Sequence, residues 1–434
     1  VSFFARLFGF FFRSAAPQPV SRSIPAAANR PAAKPAPGVF VGWNELIDSN
    51  ARIAGYLLRI RSLQADKVIE GDELLAAMEG ERVLALAAQR PVIVPLNARQ
   101  WQSADFRRLI APQTYFLITD DSLSPAGDAA LGVEIRSAGG KVARRLVVDG
   151  TAAEPCPADL LILNFQGAAL PAWEAMLKRI RQRDTKVLLV ADEVDSWSAH
   201  RLCLSLGIHY STGQFAATPD EAEQTERLSQ SRLVVIQMLN LLRSDAEPAE
   251  IVATAKRDPA IVLKLLGMAN SPVHGLSRPV ASLDEAIVVL GRDVLYRWLA
   301  VAMFRIDARD GRDQTLLVIA LSRACFLESL LRETDKRVAD ELFLVGLLSV
   351  IESLLAMPMA RIIQQMNLPD TVSSALLKNE GPYARYLMLV MAMERCRLDQ
   401  AVVIASALQV DMARLIHCYG DAMTWATAEL LDPK

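Results

Sequence analysis

The spacing of apolar and polar residues changes once along this chain, and the change divides it into two structural regimes. From Val39 to about Leu206, short runs rich in β-branched and aromatic residues alternate with helical stretches. The candidate strands are Arg52 to Arg59, Val92 to Leu96, Tyr115 to Thr119, Val142 to Val148, Leu160 to Asn164 and Val187 to Ala191, with a short one near His209. Between them, Asp72 to Ala88, Leu170 to Gln182 and Ser198 to Leu206 carry apolar residues at helical spacing. Strand and helix in alternation suggest a barrel or a doubly wound sheet, and six or seven strands over about 180 residues fit a compact (β/α) barrel.

Beyond Pro219 the helical period takes over. Leu233, Ile236, Leu239 and Leu242 form one apolar stripe, and Pro248 opens the next helix. Helical patterns follow over Gln314 to Thr334, Val338 to Ala356, Met359 to Met366, Tyr383 to Glu394, Leu398 to Leu408 and Asp411 to Leu431. The densest local chemistry lies between Lys256 and Val301. Asp258 before Pro259 is a helix start, because a carboxylate accepts the orphan N–H groups and proline has none to leave unpaired. Ile261, Leu265 and Met268 then share a face, and Asn270-Ser271-Pro272 stops the helix, with Asn270 suited to a left-handed turn. Ser282-Leu283-Asp284-Glu285 has the spacing of a capping box, and Gly291 can take the turn that ends that second helix.

Composition narrows the function classes. At 434 residues, 52% of them apolar, the chain can fill two sizeable cores, and a net charge of −2 supplies no field that favours nucleic acid. Cys156, Cys203, Cys325, Cys396 and Cys418 are scattered without CxxC spacing, which points to a reducing compartment and to neither a disulfide framework nor a zinc site. No window reaches about eighteen apolar residues free of charge, so no membrane-spanning helix is expected. Residues 1–38 read differently: VSFFARLFGFFFR is Phe-rich with only Arg6 and Arg13 as charges, and the Ala/Pro-rich stretch after it has too little side-chain surface for a core. A disordered tail is expected, with residues 1–13 a candidate for docking on a membrane surface or a partner.

The run DPAIVLKLLGMANSPVHGLSRPVASLDEAIVVLG, Asp258 to Gly291, closely resembles the signature of HDOD domains, through Asp258, Pro259, Leu265, Ala269, Asn270, Ser271, Gly275, Leu276, Pro279, Ser282, Leu283, Ala286, Ile287, Leu290 and Gly291. ALSRACFLESL, Ala320 to Leu330, resembles a further helix of that family. The resemblance implies a helical relative of HD phosphohydrolases, without the metal-binding His-Asp pair, acting in bacterial signalling. Phe40 to Arg61 and Ala191 to Pro219 are similar to the opening and the ending of EAL domains, which hydrolyse cyclic di-GMP with divalent metals.

Both resemblances can be followed residue by residue. The Glu of the EAL motif falls on Leu57, that of a later strand on Leu117 or Ile118, and the catalytic Lys on Ile162. Arg144-Arg145-Leu146, or the nearby VVDG, stands where paired aspartates are typical; Asp192 and Asp195 stand where the family's AEGVET has Glu, and Thr212 replaces the Gln of QG. Remnants are Asn97, which matches a metal-binding Asn, and Arg61, which matches the Arg just after the EAL motif. Hard cations need several converging oxygens, so no metal, no cofactor and no catalytic residue is expected. The segment resembling the HDIGK helix reads Ser349-Val350-Ile351-Glu352-Ser353, and Ser349 is expected to bond a helix carbonyl. Methionines 357, 359, 366, 388, 391 and 393 suggest core filler ahead of an adaptable groove.

The expected architecture is multidomain, α/β plus all-α: a disordered tail over 1–38, a degenerate TIM-like barrel of EAL type over 39–220, and an all-helical HDOD domain over 228–434. The expected function is non-catalytic signal transduction in the cytoplasm, with a membrane-peripheral attachment open, through other signalling proteins and not nucleic acid. Asn270, Ser271, His274, Ser277 and Arg278 are the candidate interaction loop, although the same residues suit helix stops and turns. A receptor that binds cyclic di-GMP without cutting it, and a cryptic metal-dependent phosphohydrolase in the helical domain, are the alternatives.

Overall fold

The structure is a computed structural model that describes residues 38–64, 67–120, 123–146, 157–165, 170–183, 186–223, 227–270, 278, 280–306 and 310–431. The expected tail over 1–38 falls, except for its last residue, outside the described residues, as do Ser271, His274 and Ser277 of the candidate loop.

Eight strands close into a barrel in sequence order: β1 (Val39–Ile47), β2 (Ile53–Ser62), β3 (Val92–Leu96), β4 (Thr114–Ile118), β5 (Lys141–Leu146), β6 (Leu160–Asn164), β7 (Leu188–Asp192) and β8 (Tyr210–Ser211). The pairs from β2 to β8 are parallel, but β1 runs antiparallel to both β2 and β8. Six or seven strands were expected, and β1 is the one the alternation missed. Nearly every residue of β1 is buried, so it shows none of the polar positions that mark a half-exposed strand. Inside the barrel, Leu46, Leu57, Ile93, Tyr115, Leu117, Ala143, Leu160, Ile162 and Val190 form a core of their own. This is a packed interior with no channel.

Two expected helices are broken. Arg82, at φ 55°, separates Gly71–Gly80 from Val83–Ala87. Lys336–Leu348 ends at Ser349, and Ile351–Leu355 starts after Val350 at φ −114°. Helices Pro125–Ser137, Arg292–Ala302 and Asp370–Lys378 add to those expected. Asp258 caps its helix as anticipated, accepting from the backbone of Ala260 (2.8 Å) and Ile261 (3.3 Å). The Ser282 cap is only half of the expected box. Ser282 Oγ accepts from Glu285 N, but the Glu285 carboxylate turns to Ala281 N and to Arg278.

The helical half is built around Asp310–Leu331, which packs on Lys336–Leu348 and Met412–Leu431. By length and composition its Gly311–Leu331 portion is apolar enough to cross a membrane, but it carries charges at Arg312, Asp313, Arg323 and Glu328, and 83% of the window is buried inside the fold. Met357, Met366 and Met393 are buried, whereas Met388 is half exposed. At Gly346 a Cβ would meet the backbone of Ala324, so these two long helices touch main chain to main chain.

Barrel and helices share one continuous core. Phe40 of β1 packs on Tyr419, which meets Phe326 edge to face. The Tyr56 hydroxyl lies 3.1 Å from Thr427 Oγ1, Thr315 donates to Ala51 O at 2.8 Å, and Ser353 donates to Ala217 O at 2.8 Å. Arg312 stacks over Trp197 and pairs with Glu223 at 2.5 Å. Gly311 sits against the backbone of Asn50 and Arg52, where any Cβ would collide.

Gly346→Ala is expected to destabilise the protein by about 3 kcal/mol, because neither backbone can move aside. A urea midpoint unchanged from wild type would show that the crossing is looser than it looks.

Candidate functional site at the mouth of the barrel

The parallel strands place their C-terminal ends on one face, the position from which barrels of this kind present functional groups. There β2 carries Arg59 and Arg61, β5 carries Arg145, β6 carries Asn164 and β7 ends on Asp192. Alternation along β2 sends Leu57 to the interior core and puts Arg59 above it on the same side.

Asp192 is the centre of this arrangement, with its side chain 1% exposed. Arg59 Nη2 donates to Oδ1 at 2.9 Å and Oδ2 at 3.1 Å, Arg145 Nη1 donates to Oδ2 at 2.6 Å, and the Glu193 amide donates to Oδ1 at 2.9 Å. Two guanidiniums therefore occupy the electrostatic role that a divalent cation has beside a buried carboxylate. Glu193, which stands where AEGVET has Gly, holds φ at 61° and accepts from Asn164 Nδ2 at 2.9 Å. Below, Leu57, Leu117 and Ile162 fill with hydrocarbon the three positions where the EAL resemblance places two carboxylates and a lysine. Arg144 leaves the mouth altogether and pairs with Asp128 on Pro125–Ser137.

Asn97 serves its own helix. Its side chain accepts from Gln100 N at 2.9 Å while Gln100 Oε1 accepts from Asn97 N at 2.9 Å, a full capping box at the start of Ala98–Ser103. Asp195 is exposed and Thr212 buried, while Asp121 and the VVDG segment lie outside the described residues. A pocket of about 380 Å³ opens among Arg59, Arg61, Lys67, Asn97, Thr119 and Arg145. Lys67 leans on Glu73 at 2.6 Å, whereas Arg61 stands exposed at the rim and makes no ion pair among the described residues. Among the described residues the pocket lining includes the cations Arg59, Arg61, Lys67 and Arg145 and no carboxylate.

His200 and His209 act as packing groups. His200 stacks on Phe215 at 4.9 Å, and burial, then the neighbouring Arg201, pushes its pKa down to about 4. His209 Nδ1 accepts from Leu189 N, and burial lowers its pKa. His417 lies on the surface beside Asp421.

In the helical half, Ser349 donates to Gly346 O at 2.7 Å and accepts from Arg323 Nη1 at 2.9 Å. Arg323 grips both carboxylate oxygens of Glu394, at 2.7 and 2.8 Å. Asn270 lies at φ −87°, not in the left-handed region. Its side chain bonds both backbone groups of Val280, accepting from N at 2.6 Å and donating to O at 2.9 Å. Arg278 is exposed and pairs with Glu285 at 2.9 Å. Thus the structure brings Asn270 and Arg278 to one turn, each with a structural partner.

A family model for the HDOD domain matches residues 228–375. The chain carries an HDOD domain. Among the relatives, an uncharacterised protein of Bacillus subtilis, YuxH, is 26% identical over 57% of this chain and 60% of its own length. The cyclic di-GMP phosphodiesterase CdgJ of Vibrio cholerae is 26% identical over 52% of each chain. The match thus spans between half and three-fifths of these relatives. Similar solved structures include a cyclic di-GMP-bound standalone EAL protein of Vibrio cholerae (10% identity, 40% of this chain and 89% of that one, TM-score 0.32). The YkuI protein of Bacillus subtilis, solved with cyclic di-GMP and calcium, is another (15%, 58% and 71%, TM-score 0.31). Scores of that size carry no argument, and the barrel rests on its own strand order.

Asp192→Ala should leave Arg59 and Arg145 facing each other unneutralised and lower stability by about 2 kcal/mol, a value reduced for their partial exposure. Unfolding in urea measures it, and a wild-type midpoint would mean the carboxylate holds nothing. Asn270→Ala in the HDOD domain should cost about 1–2 kcal/mol through its two lost bonds to Val280; a variant of unaltered stability would contradict the clamp.

Proposed function

We propose that this protein is a non-catalytic module of bacterial cyclic di-GMP signalling that works through its protein surfaces. The observation that supports this reading most is Asp192 held between Arg59 and Arg145. A cation approaching that carboxylate meets two fixed positive charges, and the Coulomb cost in a partly buried site opposes metal entry. Leu57, Leu117 and Ile162 supply no oxygen or amine to replace what the arginines occupy. In the HDOD domain Ser349 is spent on Gly346 and Arg323, which disfavours the phosphohydrolase reading.

The receptor reading has one observation in its favour: the pocket at the mouth carries four cations, among them Arg61, which makes no ion pair among the described residues and could meet a phosphate. Electrostatics there suits an anion as clearly as it repels a metal. Partners are expected to be other signalling proteins.

Incubation with cyclic di-GMP and Mn²⁺ or Mg²⁺ tests the primary reading. No linear dinucleotide should form, and product above a heat-treated control would overturn it. Titration calorimetry separates the two readings: a surface-acting module gives no saturable heat with cyclic di-GMP, whereas micromolar binding weakened at least tenfold by Arg61→Ala would establish the receptor.

A further inference from the structure

The joint between the barrel and the helical half covers two acids, Glu81 buried and Glu45 half-buried, where a protein interface usually avoids them. Glu45 of β1, half-buried, lies close enough to the Arg323–Glu394 pair to feel both charges, and the Arg323 guanidinium gives its donors to Glu394 and Ser349. Tyr419 and Cys396 are the other titratable groups close to it. Glu81, at the end of Gly71–Gly80, is 9% exposed and packs on Gly420 of Met412–Leu431, facing Trp43 from its own domain and Asp421 and Tyr419 from the other. Asp421 in turn has His417 beside it on the surface.

Each site therefore holds an excess of acid when its domain partner is in place. Around Glu45 the nearby guanidinium is already bonded to Glu394, and among the described residues no cation faces the Glu81 carboxyl. Both acids lie on the barrel, and both meet the helical half across a buried seam that includes Phe40, Tyr56, Tyr419 and Thr427. Ionising either one puts an unneutralised charge into that seam, a state that burial penalises.

We propose that this joint is a proton-operated latch, held shut while Glu45 and Glu81 are carboxylic acids and loosened when they ionise. Burial, the larger cause in both cases, pushes each carboxyl up to about 7, with Glu394 adding to it at Glu45 and Asp421 adding to it at Glu81. Separated from the other domain, each acid returns toward its ordinary 4.5. Between those values the docked form binds more protons than the parted form, so docking is strongest at the acid end and weakens as pH rises toward 7. This inference does not depend on whether the mouth of the barrel takes a ligand.

The test uses the full chain with a fluorescence donor at Val133 on the barrel and an acceptor at Val403 on the helical half, both exposed positions. Energy transfer is followed through a urea titration at about pH 5, pH 6, pH 7 and pH 8, spanning the titration window. In wild type the ratio of parted to docked molecules at fixed urea should rise by roughly tenfold or more from the lowest to the highest pH. Glu45→Gln combined with Glu81→Gln, which keeps both sites neutral, should remove that rise and hold the domains together at about pH 8. A wild-type ratio indifferent to pH, or an equal rise in the double variant, overturns the latch. If the double variant does not fold, carboxyl-carbon NMR of the unaltered chain decides. Two glutamates titrating near 7 support the latch, and titration of all glutamates near 4.5 overturns it.

Discussion

The carboxylate of Asp192, sealed from water between two guanidiniums, is the constraint from which the rest of the barrel follows. A buried carboxylate must be compensated, because an unpaired charge in a low dielectric costs several kcal/mol. Here the compensation comes from β2 and β5, the strands on either side of the mouth, so one acid ties three strands together at the end where a catalytic site would stand open. The arginines also give the adjoining pocket its sign. A surface that has replaced acids by guanidiniums attracts phosphates and partner carboxylates and repels magnesium or manganese.

The HDOD half uses the same chemistry. Arg323 holds Glu394 and the Ser349 hydroxyl, so the segment that resembles a metal-binding helix in HD enzymes is bound into a protein-only network. In both halves, positions where related folds gather ligands have become ion pairs and hydrogen bonds that fix backbone to backbone. Asn97 and Asn270 illustrate the shift: amides that suggest ligand or recognition roles in the sequence are spent on a helix cap and on a clamp across a turn.

Much of this was legible before the fold was known, for physical reasons. Asp258-Pro259 and Gly291 determine their own local geometry, and the hydrocarbon side chains of Leu57, Leu117 and Ile162 offer no ligating atom wherever those strands lie. The failures share a cause as well. β1 is buried on both sides, so its residues carry no alternation to read. Arg61 is the residue the motif singles out, but nothing local marks Arg59, two residues earlier on the same face, as the one that holds the acid. No local pattern announces that Arg145 will meet Asp192 forty-seven residues away, or that Glu45 will meet Arg323 across the two halves. Contacts of that range are set by barrel closure and domain docking.

The most direct measurement is anomalous diffraction from crystals grown with Mn²⁺. The account predicts no manganese peak at the mouth of the barrel, with Arg59 and Arg145 still bonded to Asp192. Manganese coordinated by Asp192, with either arginine displaced, would contradict it.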